Sequence, residues 1–455
     1  MNRRLLSLLT FAALAAFAFS AMAAPPEGEP PATAEPAPEK GAAEQEQRWN
    51  FHMQNTNIVQ WHPRYPAKYS GPQSDSPRSE VRETVSVDVL GGLRLWRGGE
   101  GYVDGLMWQG WGLGKTLGYG GHPNGESFRV GTNLPKGTVS RAFLRQTFGL
   151  GGEQEKLEDD LLQLAGTRDI ARVTLTIGKI SVKDIFDTNA YSSDPRTQFM
   201  NWTLLANGAW DFAADTLGYT TGFAVELNQP KWALRYGMFQ IPTHLNGMAA
   251  DPHYLQAWQM VTELERRWAV AGHPGAIRLL GFLTQAHMGR FRDALDSPVR
   301  PANTLPFRVG YHLKYGGGLN MEQEILPGIG AFLRASWSDG HTDSWMFTDV
   351  DRHVSGGLSI KGGFWTRPED TVGIAAAMNG LSRIHSEYFT EGGTGILVGD
   401  GTQTYKTERV LETYYDVHIA KWLHAAADYQ LIMNPAYNRD RGPISVFGAR
   451  LRLSF

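Results

Sequence analysis

The segment ISVFGARLRLSF (444–455) ends the chain, and its alternation decides how everything before it is read. Phe447, Ala449, Leu451, Leu453 and Phe455 fall on one face; Gly448, Arg450, Arg452 and Ser454 fall on the other. A period of two marks a β-strand whose faces meet different surroundings. Terminal residues ordinarily fray for want of tertiary contacts. An apolar face kept to the last residue therefore predicts a covered strand, paired on both edges.

The pattern recurs upstream. In ERVLETYYDVHIAK (408–421), Leu411, Thr413, Tyr415, Val417 and Ile419 oppose Glu408, Glu412, Tyr414, Asp416 and His418. In LHAAADYQLIMN (423–434), Leu423, Ala425, Ala427, Tyr429, Leu431 and Met433 oppose His424, Asp428, Gln430 and Asn434. NWTLLANGAWDF (201–212) reads the same way, with Trp202, Leu204, Ala206, Trp210 and Phe212 on one face. About sixteen such segments run from 82 to the end, the even number that a closed antiparallel barrel requires. The expected fold is all-β, a transmembrane antiparallel barrel of porin type. Aromatics at strand ends, Trp202 with Phe212 and Trp258 with Trp268, suit an interfacial girdle.

Composition agrees. The 455 residues include 52 Gly, 14 Trp, 16 Tyr and 21 Phe, yet mean hydropathy is only −0.32. Aromatic-rich strands with one wet face account for that combination. After residue 23 no apolar run is long enough for a membrane helix. A net charge of −3 offers no footprint for nucleic acid, and the lack of cysteine removes thiol and zinc-thiolate chemistry.

Four regions are expected. Residues 1–23 combine a basic start, an apolar run and the small-x-small site Ala21-Met22-Ala23 of a secretory signal peptide. Residues 24–47 are a Pro/Ala/Glu-rich flexible leader, too poor in apolar groups to offset the entropy of ordering. Residues 48–81 lead into the barrel, and 82–455 form it.

Loop lengths test the barrel. With the C-terminus in the periplasm, short turns near 228–230, 326–328 and Trp422 share one side, and the long stretches 241–256, 288–308, 338–352 and 383–407 share the other. The N-terminal half breaks this rule, because 112–140 and 181–200 would become long periplasmic excursions. Either they fold into the lumen or the strand count there differs.

Three stretches, WNFHMQNTNIVQWHPRYPAKYSGPQS (49–74), RAFLRQTFGLGGE (141–153) and the end piece 414–455, resemble the carbohydrate-selective porin (OprB) family. NGESFRVG (124–131), WSDGHTDSW (337–345) and RPEDTVGIAAAMNGLS (367–382) are similar to it as well. The resemblance implies a sixteen-stranded barrel in the outer membrane of a Gram-negative bacterium, multi-pass, carrying sugars by passive diffusion without a cofactor. Small carbohydrates are then the permeating solutes and outer-membrane lipid the surroundings, with a monomer or a homotrimer as the assembly. Phe455 resembles the terminal signal that outer-membrane assembly machinery reads.

A sugar pore needs weak, replaceable hydrogen bonds and apolar surfaces for C–H faces. Arginine supplies fixed donors, and carboxylates accept from hydroxyls. A mid-membrane Arg facing lipid costs about 2–4 kcal/mol, so mid-strand charges should point inward. The pore-lining candidates are Arg82, Arg94, Trp96, Arg145, Arg172, Arg235, Glu263, Glu265 and Asp428, with Asp88 on the Arg82 face. No catalytic or metal residue is assigned. Glu263 and Glu265 could lie about 5–7 Å apart, a spacing glycosidases use. The alternative function is therefore a secreted soluble β-rich glycan-binding protein or glycosidase, which a compact carboxylate pair in a cleft would favour.

Overall fold

In the computed structural model, which describes residues 46–455, the terminal strand finds its second partner at the far end of the chain. The strands are β1 (Trp49–His62), β2 (Glu80–Trp96), β3 (Gly99–Gly110), β4 (Thr132–Gly149), β5 (Gln154–Leu157), β6 (Gly166–Asp169), β7 (Arg172–Ile180), β8 (Thr220–Gln229) and β9 (Trp232–Gln240). They continue as β10 (Trp258–Val270), β11 (His273–Ala286), β12 (His312–Leu326), β13 (Ile329–Ser338), β14 (Arg352–Lys361), β15 (Thr371–Gly380), β16 (Glu408–Ala420), β17 (Leu423–Met433) and β18 (Ile444–Ser454). All but β5 and β6 join one closed antiparallel barrel of sixteen strands; those two make a separate hairpin.

β18 pairs with β17 and, from Gln54↔Ser454 to Trp61↔Phe447, with β1. Phe447, Leu451 and Phe455 face outward and are exposed, whereas Arg450 is 2% exposed within the lumen. Beyond the last strand residue, Phe455 still exchanges backbone hydrogen bonds with Met53, and its ring stacks on Trp422. Closure leaves no open edge, which a lipid environment demands.

Two expectations are corrected, and they are linked. Residues 201–212 are not a strand but a lumenal segment carrying the short helix α1 (Trp202–Leu205); Trp202 and Phe212 therefore lie inside, not in a girdle. Residues 49–62, expected to precede the barrel, are its first strand. The count of sixteen survives because one gain offsets one loss.

Removing 201–212 from the wall also reverses the direction of every earlier strand. The long connections 63–79, 111–131, 181–219, 241–257, 287–311, 339–351, 381–407 and 434–443 now share one side. On the other side the connections are short, apart from 150–171, which holds the β5–β6 hairpin. By the usual asymmetry the long loops are extracellular. The expected signal peptide and nearly all the leader lie outside the described residues.

The lumen is filled chiefly by 181–219, the connection between β7 and β8. Buried wall carboxylates hold this insert by accepting its backbone N–H groups. Glu263 accepts from Asp187, and Glu412 accepts from Met200 and Asn201. In the reverse sense, Asp211 of the insert accepts from four consecutive N–H groups, Trp345 to Thr348, of the 339–351 loop. A carboxylate bonded to several N–H groups satisfies donors that would otherwise be costly to bury. Where the insert touches the wall, glycine makes room: a Cβ on Gly330 would lie 2.0 Å from the Tyr191 ring.

Candidate functional site

Asp187 is the hub of the insert. Its fully buried carboxylate accepts from Arg334 Nε at 3.1 Å, Lys183 Nζ at 3.0 Å, the backbone and side-chain amides of Asn207, and Asn320 Nδ2. Arg334, with no exposed surface, also donates to the carbonyls of Leu204 and Ser192. These bonds fix the insert against β12 and β13, across the barrel from β1–β4.

The space left between the insert and β1–β4 is a cavity of about 390 Å³. Gln54, Asp88, Leu90 and Arg141 come to it from the wall, and Lys183, Asp184, Arg196 and Tyr219 from the insert. Extracellular connections add Asn124, Glu126, Phe128, Arg129, Phe347 and Leu397, while the 150–171 connection adds Leu161 and Leu162. The cavity thus borders on segments from both ends of the barrel.

Two guanidinium groups are held rigidly at this cavity. Arg141 forks onto Asp184 with two bonds of 2.8 Å, reaches Asp104 at 2.7 Å, and lies over the Tyr219 ring. Arg196 meets Asp88 at 2.6 Å and Glu126 at 2.9 Å. Each is neutralised in place by two carboxylates, so neither swings freely nor presents an unbalanced anion trap. Beside them stands an aromatic cluster. Trp202 stacks on Phe212 at 5.6 Å, and Phe347 meets both rings at 5.3 and 5.2 Å. Fixed donors, paired acceptors and a ring surface are the three features a neutral polyhydroxylated solute can use.

His122 sits at the extracellular side of this space. Its Nδ1 accepts from the Asn124 N–H and lies 2.9 Å from Ser127 Oγ, whose proton goes to the Asn124 carbonyl, while Nε2 lies 3.2 Å from the Leu113 carbonyl. Burial pushes the imidazole down to about 4 from its ordinary 6.5, against the pull of those carbonyls. A folded value below the unfolded one contributes stability above pH 6.5, lost as pH falls towards 4. The expected loss by pH 4 is about 3 kcal/mol. The temperature at which gel mobility shifts should accordingly fall between pH 6.5 and 4 in the native protein, and fall less in His122→Gln.

The residues expected from sequence occupy other places. Arg235 bonds Glu226, Glu263 and Glu265, and Glu265 also meets Arg278, in a buried ladder behind the insert. Glu263 and Glu265 are thus occupied by guanidinium and N–H donors rather than paired across a cleft. Arg172 meets Glu155 and Glu226; Arg94 meets Glu46 and Glu100 at the short-turn end. Arg82 pairs with Glu80 at the opposite rim. Arg145 donates to the Leu162 carbonyl and supports the cavity from below. Asp428 lies beside Gln430 under the 195–201 stretch. None of these lines the cavity, although Asp88 does.

Trp96 requires a correction. A β-bulge between Arg94 and Trp96 shifts the register by one residue, so its indole points outward and donates to Gln146. It is 57% exposed on the outer rim. Of the cavity cations, Arg141 carried a usable signal, since it shares the period-two face of Phe143 and Arg145. Lys183 lies on a three-residue 3-10 helix and Arg196 in a turn, both too short to show a period.

The family model described as "Carbohydrate-selective porin, OprB family" matches residues 73–455. The high-pH structure of Pseudomonas putida OprB is similar with a TM-score of 0.68 at 17% identity, covering 90% of this chain and 94% of that one. The outer-membrane channel DcaP of Acinetobacter baumannii gives a TM-score of 0.47 at 8% identity, covering 90% and 97%. No curated protein sequence matches.

Proposed function

The chain belongs to the carbohydrate-selective porin (OprB) family, and from that premise we propose that Arg141, Arg196 and the Trp202–Phe212–Phe347 cluster select the solute. The protein is an outer-membrane channel that passes small carbohydrates by passive diffusion. The observation that carries the selectivity reading is the joint lining of one cavity by rigid guanidinium groups and stacked rings. A passing sugar exchanges water for Arg N–H and carboxylate contacts while a C–H face slides over the rings. Each contact is weak enough to release.

Swelling of proteoliposomes across a panel of sugars, amino acids and small anions tests this reading. Sugars should enter faster than other solutes of equal size. Trp202→Ala should lower that preference several-fold while raising passage of small ions. Equal rates at equal solute size would refute it.

The remaining assignments rest on chemistry alone. The glycosidase alternative is disfavoured at the Glu263–Glu265 pair, whose carboxylates are engaged by Arg235 and Arg278. Phe455 serves assembly in outer-membrane lipid, consistent with an exposed ring at the seam. Its deletion should sharply reduce the yield of heat-modifiable barrel in outer-membrane fractions, and normal yield would count against that role. The functional unit is a monomer or a homotrimer, which chemical cross-linking in intact membranes distinguishes.

A further inference from the structure

His62 closes β1 at the extracellular rim, and its ring is completely buried. Its Nδ1 lies 2.9 Å from the Pro63 carbonyl, so Nδ1–H donates there and Nε2 presents a lone pair. That lone pair points at acceptors. Nε2 is 3.3 Å from Asp75 Oδ2, yet it makes no hydrogen bond, and Asp75 Oδ1 makes none either. Glu80 completes the group, with one ligand atom from each residue lying within 4.8 Å of the others. Three acceptors converging in a buried space call for a cation between them.

We propose that His62, Asp75 and Glu80 bind one transition-metal dication of the Zn²⁺ class. Bonds of about 2.0–2.1 Å in a tetrahedron put neighbouring ligand atoms about 3.3–3.4 Å apart, the separation His62 and Asp75 already have. An imidazole nitrogen with two carboxylates suits such an ion; Ca²⁺ takes six to eight oxygens instead. The outer contacts also fit. The Pro63 carbonyl orients the imidazole, Tyr65 Oη donates to Asp75 Oδ2, and Arg82 and the Gly114 N–H hold Glu80.

The ligands tie the end of β1, the 63–79 loop and the start of β2 together, and the 111–131 connection is held against them by the Gly114 N–H on Glu80. Gly118 approaches so closely that a Cβ there would lie 2.2 Å from the Asp75 nitrogen. The same connection continues to Asn124, Glu126 and Arg129 at the cavity. The metal acts as a clip on the channel mouth, and this holds whatever the solute.

The test uses the full-length folded protein in detergent, stripped with dipicolinate and titrated with Zn²⁺ and, separately, with Co²⁺ and Ca²⁺. One Zn²⁺ per chain is expected, with an intense four-coordinate visible spectrum for Co²⁺. His62→Gln and Asp75→Asn should each weaken Zn²⁺ binding by at least about tenfold. Zn²⁺ should raise the temperature of the gel-mobility shift in the native protein and not in His62→Gln. Failure to take up Zn²⁺, unchanged affinity in both variants, or binding of Ca²⁺ alone would overturn the proposal. Should the variants not assemble, the native Co²⁺ spectrum decides: weak six-coordinate bands also overturn it.

Discussion

Asp187→Ala is expected to open the channel, with single-channel conductance rising several-fold and the size limit for solutes increasing. The carboxylate is shared by Arg334, Lys183, Asn207 and Asn320, all drawn from the insert and the facing wall. Its loss leaves a fully buried guanidinium and a nearly buried ammonium without their anion. Breaking one side of such a pair typically costs about 3–5 kcal/mol. The barrel wall does not share this cost, because its closure depends on ladder hydrogen bonds from β1 round to β18. The damage should therefore concentrate in 181–219, leaving gel mobility of the folded barrel intact. A folded variant with native conductance and size limit would show that the insert is held elsewhere. Asp187→Asn, which keeps some acceptor capacity, should fall between the two.

Arg196→Ala should lower sugar passage about tenfold relative to a size-matched neutral amide, the effect expected when a charge-assisted hydrogen bond is removed. The sign of the ionic change follows from the partners. Asp88 and Glu126 lose the cation that neutralises both, so the cavity turns negative and selectivity shifts towards cations. Arg141→Ala should act in the same direction, freeing Asp104 and Asp184. Reversal potentials in a salt gradient measure the charge change, and proteoliposome swelling measures the sugar change. If Arg196→Ala alters ion selectivity without altering sugar rates, the guanidinium sets charge only.

The strands that read cleanly in the sequence are β16, β17 and β18, whose outer faces are apolar in mid-strand save for Thr413, which donates to the Gly373 carbonyl. Their predicted inward residues Glu412, Asp428, Gln430 and Arg450 are all buried in the lumen. β1 is less legible because its outer face carries Asn55 and Asn57 in mid-strand. Each hides its polarity locally: Asn57 donates to Asn55, and Asn55 donates to the Ser86 carbonyl. The opposite confusion affects 201–212. An insert packed between a polar wall and an aromatic cluster has wet and dry sides like a strand.

The candidate site divides along the same line. Inward charges on strands follow from the period of two and the cost of exposing them to lipid, and Arg145, Arg172, Arg235, Glu263 and Asp428 lie on the inner face. Whether an inward charge meets the solute depends on what lies in front of it. Here the insert covers Arg235, Glu263, Glu265 and Asp428 and brings its own Lys183 and Arg196 to the open space.

The sequence by itself determined the barrel, its sidedness in the C-terminal half, and the closing role of the ISVFGARLRLSF strand. Alternation and loop length are local properties, legible one segment at a time. Only the tertiary structure decided which strand closes with it, where the bulge turns Trp96 outward, and which charges face the passage. Which strand closes the barrel and which charges face the passage depend on contacts between residues a hundred or more positions apart, such as Arg334 with Asp187 and Arg196 with Asp88, while the bulge at Trp96 is set by the pairing of β2 with β3. No periodicity along the chain records them.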